Sequence, residues 1–488
     1  MSATAEHPGA GRTLASWWVL AALIAAAAAL RLSTLDLQSL WYDEAFTPVH
    51  TLHASLSATL SAVAHTENSP PLWYLLEWGI SRVLGTGVLA LRLLSALAGI
   101  LCVAVAWGIG AELAGRRTAF ICALLVATNP LFVWYSQEAR AYGLFVLMSA
   151  LCMLCFLRAR RQPSNRRMAA FALSASLALL SHYFAVFLLA PMCLWLLWQP
   201  ATRRAALAAV AAIGVVGLAL IPLILSQGGH GTQWIGQWAL SSRLEAIPQY
   251  YLTGYSGAPL GHAIELAIGL IALAGVLWGL WRGLDRGEEG MALTALVICA
   301  CGVLIPIVLV GVGADYLAPR NLVGAMIPLS ALLAVVIGAK RTGGLGLALA
   351  GLLACAFLAI SVDVNLSPRL QRGDWAGVAK LLASPAPAHV ISTAELGSAP
   401  LEYYLSGLHN LTHGSVTVTE IDETGYAPLR SGAREPPAPG FRLISASNVH
   451  GLILYRFRSA VPRSVPQAAL LEHVITQTHP EVLAPGGV

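Results

Sequence analysis

Long apolar runs recur along the chain, and short polar breaks separate them. A helix needs about 20 mostly apolar residues to cross the hydrocarbon core of a bilayer, and several runs approach that length. The pattern therefore predicts a polytopic α-helical membrane protein with about eleven transmembrane helices. The predicted spans cover residues 14–33, 86–113, 118–135, 142–158, 168–181, 184–199, 205–225, 260–281, 291–311, 321–339 and 343–362.

Two of these spans admit a second interpretation. The break between 168–181 and 184–199 is short, so the pair can be two spans, or one span with a re-entrant piece.

The first long polar interruption, 36–85, is a predicted outer loop. Within it we expect amphipathic helices around Ala45–His65 and Pro71–Leu84, lying in the interface.

After residue 362 the chain returns to the composition of a soluble protein. β-rich runs with turn residues between them surround one predicted helix, 374–384, which indicates a small soluble α/β domain. The chain thus divides into a transmembrane domain, 1–362, and a C-terminal domain, 363–488. The last residues, 480–488, are expected to fray.

Composition supports a membrane protein. Of the residues, 57% are hydrophobic and only 11% are charged, whereas soluble domains carry roughly 25% charge. The net charge of +5 is modest, and the Arg residues form no basic face, which excludes a nucleic-acid binder. All eight Cys lie in apolar runs, so no disulfide framework or thiolate metal site is predicted.

The short loops carry their positive charge on alternate sides. One set holds clusters of Arg and Lys, and the opposite set holds only Arg140 and Arg320. The positive-inside rule therefore places the N-terminus in the cytoplasm. With an odd number of spans, the C-terminal domain lies on the other side of the membrane.

Polar groups that need a partner or a function gather on this outer side. Asp43 and Glu44 follow the aromatic pair Trp41 and Tyr42, and adjacent carboxylates can make one strong proton acceptor. The alternative is an interfacial aromatic belt with solvated acids beside it. His65 stands five residues before a Pro-Pro pair that starts a predicted helix. A helix N-terminus with capping residues explains most of this cluster, but it does not explain the histidine.

Three further outer clusters carry candidate residues. Each has a structural alternative: a surface ion pair for the first, a packed histidine for the second, and an arginine reaching lipid headgroups for the third. A cation in such a loop can equally hold a phosphate. The candidates are Glu138, Arg140 and Tyr142, then His182 and Tyr183, then Arg320.

Several motifs are absent from the sequence. It contains no GxxxxGK loop, no GxGxxG, no HExxH and no GxSxG, so nucleotide hydrolysis and zinc peptidase chemistry have no support. No metal site is assigned, although a divalent cation near Asp43, Glu44 and His65 stays an open alternative.

The order of the outer motifs resembles a known family. An Asp43-Glu44 pair is followed by Pro-Pro-Leu-x-Tyr at 70–74, by Ser-Gln-Glu-Ala-Arg-x-Tyr at 136–142 and by Pro-Arg at 319–320. This order resembles the bacterial GT-C membrane glycosyltransferases, glycosyltransferase family 39-like, which are related to protein O-mannosyltransferases and lipid A aminoarabinose transferase. The resemblance covers residues 14–362.

The resemblance implies a function. Such enzymes move a sugar from a polyprenyl-phosphate carrier to an acceptor outside the bacterial cytoplasmic (inner) membrane, with inversion at the anomeric carbon. It implies Asp43 as general base, Glu44 as a group that positions substrate or supports Asp43, and Arg140 and Arg320 as ligands of the lipid phosphate. The residues implied to line the cavity are His65, Glu138, Tyr142, His182 and Tyr183.

One departure leaves the sugar open. The aminoarabinose transferases have a Lys just before the Pro-Pro, where this chain has Ser69. A hexose such as mannose is the default donor sugar, with a pentose as the alternative, and the acceptor is a protein, a lipid or a polysaccharide. The competing functions are a multi-span transporter or flippase of lipids or lipid-linked sugars, and a structural membrane protein.

Overall fold

The computed structural model describes residues 10–228, 232–256, 261–383, 389–394, 396–473, 475 and 480–485. It divides into two compact units. The helical unit comprises residues up to Leu35 and Ser55–Val364. The sheet unit comprises Asp36–Ala54 and Asn365–Val488.

The helical unit is built from apolar helices that end at glycines, prolines and capping side chains. Gly85 and Gly115 adopt positive φ where one helix ends and the next begins, a conformation that favours glycine. Asp285 and Glu288 form a reciprocal capping box at one N-terminus. The helices are α1 Ala10–Leu32, α3 Leu56–Thr66, α4 Leu72–Leu84, α5 Val88–Ala114, α6 Arg116–Thr128, α7 Pro130–Ser136, α8 Tyr142–Arg161, α9 Asn165–Ser181, α10 Ala185–Trp198, α11 Arg203–Gln227, α12 Gln233–Gln237, α13 Leu240–Thr253, α14 His262–Arg282, α15 Arg286–Gly311, α16 Met326–Ile337 and α17 Gly343–Leu366, with α2 Tyr42–Phe46 in the sheet unit.

The prediction of a polytopic helical membrane protein is confirmed. Within the described residues, 7 helices are long and apolar enough to cross a membrane, or up to 8 if one bent pair counts as a single span. The bent pair is α6 and α7, which meet at 58°. Asn129 makes this break, because its side-chain oxygen accepts the backbone N–H groups of Leu131 and Phe132 and Pro130 follows it.

The sheet unit contains a mixed sheet, as predicted for the tail. The strand order is β2-β6-β1-β3-β5-β4, with β1 and β3 parallel and the other neighbours antiparallel. The strands are β1 His389–Ala394, β2 Leu408–Asn410, β3 Ser415–Tyr426, β4 Arg442–Val449, β5 Leu452–Pro466 and β6 Pro480–Pro485, and the helices are α18 Trp375–Leu382, α19 Ser398–Tyr404 and α20 Gln467–Glu472.

Two apolar clusters bury the inner positions of this sheet. One contains Trp375 and Val378 of α18 with Ile391 and Leu454, and the other contains Phe457 with further strand residues. The predicted helix at 374–384 corresponds to α18, whose N-cap is Asp374.

One expectation for the end of the chain is wrong. The residues up to Pro485 do not fray: β6 pairs with β1 and β2 inside the sheet, because Val482, Leu483 and Ala484 are all buried there. Residues 486–488 lie outside the described residues. Asp36–Ala54 clusters with the sheet unit, and the helical unit ends at Val364. The division into domains 1–362 and 363–488 stays a prediction.

Candidate functional site

The helical unit places a buried ion pair between two loops that precede helices. Glu67 follows α3, and Arg140 lies in the turn between α7 and α8. Arg140 donates two hydrogen bonds to the Glu67 carboxylate, of 3.3 Å and 3.0 Å. The Glu67 side chain is 3% exposed and the Arg140 side chain is 14% exposed, so the guanidinium is held by a fixed counter-ion yet still reaches solvent.

Hydroxyl and aromatic groups surround this pair. The backbone carbonyl of Arg140 accepts a hydrogen bond from Ser95 Oγ at 3.2 Å. Tyr74, on the buried face of α4, lies beside Glu67, and burial, followed by the neighbouring carboxylate, raises the pKa of its hydroxyl well above the usual value. Tyr74 therefore stays a neutral hydrogen-bond donor.

A series of ring contacts continues from Tyr142 to His182. The ring centroids of Tyr142 and Tyr135 are 4.8 Å apart, and those of Phe145 and His182 are stacked at 4.6 Å. His182 lies between α9 and α10, and burial lowers its pKa to about 3, with the positive charges of Arg320 and Arg140 adding to the effect. The imidazole is therefore neutral at pH 7, and its Nδ1 accepts the backbone N–H of Phe184 at 3.2 Å.

Arg320 is placed by a short 3-10 helix, Pro319–Ala325. Its guanidinium carbon lies 4.8 Å from the ring centroid of Trp234, a cation–π contact. Nearby in the sequence, Asp315 accepts two hydrogen bonds from buried Arg243, of 2.6 Å and 2.9 Å. These bonds hold the pKa of Asp315 below its usual value. The segment that carries Trp234 is thus fastened to the loop that carries Arg320.

The remaining predicted residues of the helical unit lie in different surroundings. Tyr183 donates a 2.7 Å hydrogen bond to Gln227, whose amide in turn donates to the carbonyls of Val63 and Ser69. Glu138 is buried. His65 does not join these groups: it is exposed on α3, and its Nδ1 lies 2.7 Å from the Ser61 carbonyl of its own helix.

In the sheet unit, Asp43 and Glu44 occupy the first turn of α2 and differ in exposure. Glu44 is fully buried, and its carboxylate lies 3.6 Å from the guanidinium of Arg372. Asp43 is partly exposed. The two neighbouring carboxylates therefore differ: Glu44 is enclosed by protein, whereas Asp43 is accessible to a ligand.

Polar contacts fasten α2 within the sheet unit. Ser39 Oγ donates to Asp374 at 2.9 Å, and the backbone N–H of Leu40 donates to the Tyr404 hydroxyl at 2.9 Å. The backbone N–H of Arg372 donates to the Gln38 side chain at 3.0 Å. Asp43 is thus presented from a short helix whose preceding loop is fixed at three points.

Three residues in these contacts were missed by the candidate list from the sequence. Glu67 stands in a predicted motif but was not selected, while Arg243 and Arg372 were not considered. The uneven number of Arg and Lys in alternate loops could have drawn attention to Arg243, because its side of the predicted bundle holds few cations. No local pattern pairs Glu44 with Arg372, which is 328 residues away (372 − 44).

The chemistry of these groups suits an anion. Arg140 and Arg320 present planar guanidinium groups beside neutral rings, an arrangement that binds phosphate. In the part of the chain that the structure describes, no three His, Cys, Asp or Glu side chains gather as metal ligands.

Comparisons with known proteins place these features in context. Residues 68–226 match the family model described as dolichyl-phosphate-mannose-protein mannosyltransferase. None of the curated protein sequences matches the chain.

Two solved structures of ArnT share the fold, and a third solved structure is similar over part of the chain. The apo structure of ArnT from Cupriavidus metallidurans aligns with a TM-score of 0.58 at 13% identity, over 91% of this chain and 98% of that chain. ArnT bound to undecaprenyl phosphate aligns with a TM-score of 0.55 at 14% identity, over the same shares. The Saccharomyces cerevisiae Pmt1–Pmt2 complex bound to the sugar donor aligns with a TM-score of 0.37 at 17% identity, over 43% of this chain and 33% of that chain.

Proposed function

We propose that this chain, a multi-span membrane protein related to the GT-C membrane glycosyltransferases, transfers a sugar from a polyprenyl-phosphate carrier to an acceptor on the outer side of the bacterial cytoplasmic membrane. The observation that carries the proposal is the match of residues 68–226 to a family that uses dolichyl-phosphate mannose. Arg140 lies within that stretch, and its buried counter-ion, Glu67, directly precedes the first matched residue.

The proposed reaction inverts the anomeric carbon. The acceptor oxygen attacks that carbon, the bond from carbon to phosphate oxygen breaks, and the acceptor proton passes to Asp43. The leaving group is polyprenyl phosphate, which already carries negative charge, so cations at its oxygens stabilise the transition state. Asp43 fits the role of base because it is the exposed member of its pair, while Glu44 is enclosed by Arg372.

Arg140 and Arg320 are the proposed ligands of the lipid phosphate. Arg140 is oriented by two hydrogen bonds to Glu67, and Arg320 is oriented by the ring of Trp234. A guanidinium that is already oriented loses less entropy when it binds a planar set of oxygens. A neutral His182 between them adds no competing charge.

Four other residues belong to the proposal as groups that line the donor cavity: Glu138, Tyr142, His182 and Tyr183. Tyr142 and His182 offer neighbouring rings, tilted at 40°, and Tyr183 offers a hydroxyl that Gln227 already orients. Their proposed partners are sugar hydroxyl groups. His65 was expected in this set, but it is exposed and bonds within its own helix, so the proposal leaves it out.

The topology is also a proposal. We place about eleven spans in the membrane by counting α1 and the shorter helices α9 and α10 with the long ones. The Arg-rich loops then face the cytoplasm, as does the N-terminus, and the sheet unit lies outside. The interfacial placement of α3 and α4 belongs to the same proposal. The donor sugar is a hexose or a pentose, and the acceptor is a protein, lipid or polysaccharide.

The test is a transfer assay with the full chain in proteoliposomes. Undecaprenyl-phosphate hexose with a labelled sugar is added with outer-envelope extract, and labelled product and released carrier are measured. We expect Asp43→Asn to abolish transfer while donor binding persists, and Asp36→Asn, an exposed acid in the same loop, to leave transfer unchanged.

Two outcomes would contradict the proposal. Full activity of Asp43→Asn removes the base assignment. Movement of the intact labelled lipid between leaflets, with no transfer by the wild type, identifies a flippase instead.

A further inference from the structure

We propose that Arg31, near the end of α1, is a positioning residue that sets the place of Arg140; the inference rests on the phosphate-binding role proposed for Arg140. Arg31 is fully buried in the helical unit. A buried cation among membrane helices is costly unless it has partners or a function. Among the described residues no carboxylate contacts Arg31, so neutral groups must compensate for the burial of its charge.

The four hydrogen bonds of Arg31 go to neutral oxygens. Its Nε donates to Ser136 Oγ at 3.1 Å. Its terminal nitrogens donate to the carbonyls of Val126 at 3.2 Å, Ala127 at 3.0 Å and Ala27 at 3.2 Å. Only the Ala27 bond lies within α1, so the other three reach across to α6 and α7.

These contacts bridge the break between α6 and α7. Val126 and Ala127 lie in the last turn of α6, where carbonyls lack helical partners and the helix dipole is negative. Ser136 is the last residue of α7, beyond the 58° bend. A planar guanidinium with five donors can bond to both helix ends at once, which a lysine ammonium cannot do in this geometry.

The backbone of α1 holds the next residue as well. Gln137 Nε2 donates to the carbonyl of Arg31 at 3.0 Å and to Thr34 Oγ1 at 2.8 Å. The end of α1 therefore fixes Ser136 and Gln137, four and three residues before Arg140. Few peptide units separate these anchors from Arg140. A shift of Ser136 therefore moves the Arg140 guanidinium, which donates hydrogen bonds to Glu67.

A glycine on α5 leaves the space for this contact. A Cβ built at Gly99 would overlap Ser136 Oγ and come within 2.9 Å of Arg31 Nε. Gly99→Ala therefore displaces the same two groups without removing any charge. It provides a second variant that tests the same contact by a different physical route.

The experiment measures binding of undecaprenyl phosphate to the full chain in nanodiscs. We expect Arg31→Gln to weaken binding about tenfold, the scale of a small misplacement of a binding group. If Arg31 acts through Arg140, the double variant Arg31→Gln/Arg140→Gln binds as weakly as Arg140→Gln alone. Additive losses in the double variant would overturn the proposal.

The matched control is Arg160→Gln at the opposite end of α8. Arg160 donates to Thr294 at 2.7 Å and lies over the ring of Trp195, so its loss also removes a partly buried cation. We expect the control to lower the unfolding temperature by a similar amount and to leave lipid affinity unchanged. Equal losses of lipid affinity in Arg31→Gln and the control would show that Arg31 acts only through overall stability.

Hydrogen–deuterium exchange separates this inference from the proposed function. Arg31→Gln and Gly99→Ala should both speed exchange of residues 136–141 relative to wild type and Arg160→Gln. If Arg140→Gln leaves lipid affinity unchanged, the phosphate role of Arg140 fails, and faster exchange still supports the anchoring by Arg31. Unchanged exchange in a folded Arg31→Gln or Gly99→Ala overturns the inference.

Discussion

Arg140 and Glu67 are 73 residues apart in the sequence and share two hydrogen bonds in the helical unit. The carboxylate belongs to the loop after α3, and the guanidinium belongs to the turn before α8. The pair therefore joins a loop and a turn whose sequences look independent. It also orients a cation before any ligand arrives, which lowers the entropy lost on binding.

Removal of the Glu67 carboxylate should affect stability and lipid binding together. We expect Glu67→Gln to lower the free energy of unfolding by about 1–3 kcal/mol, because a mostly buried charged hydrogen-bond partner is lost. Lipid binding should change as well, since Arg140 loses its orientation. The measurements are thermal unfolding and undecaprenyl phosphate titration.

The control for that prediction is Glu112→Gln. Glu112 pairs with Arg158 and Arg161, whose side chains are 50% and 67% exposed. An exposed pair contributes at most about 1 kcal/mol. A Glu67→Gln variant that is no less stable than Glu112→Gln would show that the buried pair does not orient Arg140.

Arg320→Ala should weaken binding of the carrier lipid. The variant removes a guanidinium that the Trp234 ring orients, and we expect the dissociation constant for undecaprenyl phosphate to rise about tenfold or more. Arg82→Ala is the matched control, because Arg82 also lies over a tryptophan, Trp78, at 5.8 Å, on an exposed part of α4. Equal affinity of Arg320→Ala and wild type removes the phosphate role of Arg320.

Glu44→Gln should separate the two neighbouring carboxylates. Glu44 is enclosed with Arg372, so its neutralisation leaves a buried cation with a weaker partner and destabilises the sheet unit. We expect slower transfer through a displaced Asp43, with donor affinity unchanged.

A second substitution checks the cause of that loss. Arg372→Gln, combined with Glu44→Gln, should restore part of the unfolding temperature, because both buried groups are then neutral. Glu402→Gln, which removes a 3.6 Å contact with His50 in the same unit, should cost less. Strict additivity of the Glu44 and Arg372 substitutions would show that the two residues do not interact.

The sheet unit should lose stability as the pH rises above neutrality. A hydrogen bond with Glu423, at 2.9 Å, raises the pKa of His473 above its ordinary value of 6.5. A group whose pKa is higher in the folded state stabilises that state fully below its unfolded pKa, and this contribution is lost as the pH rises through the folded pKa. Burial raises the pKa of Asp422 from 3.8 to about 7, so its contribution to stability is lost at lower pH, as the pH rises from about 4 to about 7.

Unfolding temperatures recorded from pH 5.5 to 8.5 test this dependence. We expect a decline above about pH 6.5, the ordinary histidine pKa, and a smaller decline in His473→Gln. His413→Gln, at an exposed position of the same unit, serves as the control. A His473→Gln profile as steep as the wild-type profile would rule out the contribution of this pair.

Local hydrophobicity was enough to predict where the long apolar helices lie. Ten of the eleven predicted spans overlap one α-helix each, and 118–135 overlaps both α6 and α7. An apolar run in lipid can satisfy its backbone only within itself, which favours a helix. The helix at 374–384 and the β-rich runs of the tail were also found, because they follow a periodicity that the residues carry locally. The loops that carry the polar clusters were identified for the same reason.

Contacts between distant parts of the chain were decided only by the tertiary structure. Pro480–Pro485 pairs with two strands of the sheet, although Pro480, Glu481 and Pro485 are residue types that are depleted in strands. Asp36–Ala54 joins the sheet unit through hydrogen bonds to Asp374 and Tyr404. Neither partner can be seen from a local window.

The candidate site shows the same division. The sequence by itself determined which polar residues stand in the loops between the apolar helices, because their cost near a membrane makes them conspicuous. It did not determine which of them pair: Glu67 with Arg140, Glu44 with Arg372, and Arg31 with two helix ends. An ion pair or a shared carbonyl depends on distances of about 3 Å between residues far apart in the chain, and only the packing of the helices and the sheet sets those distances.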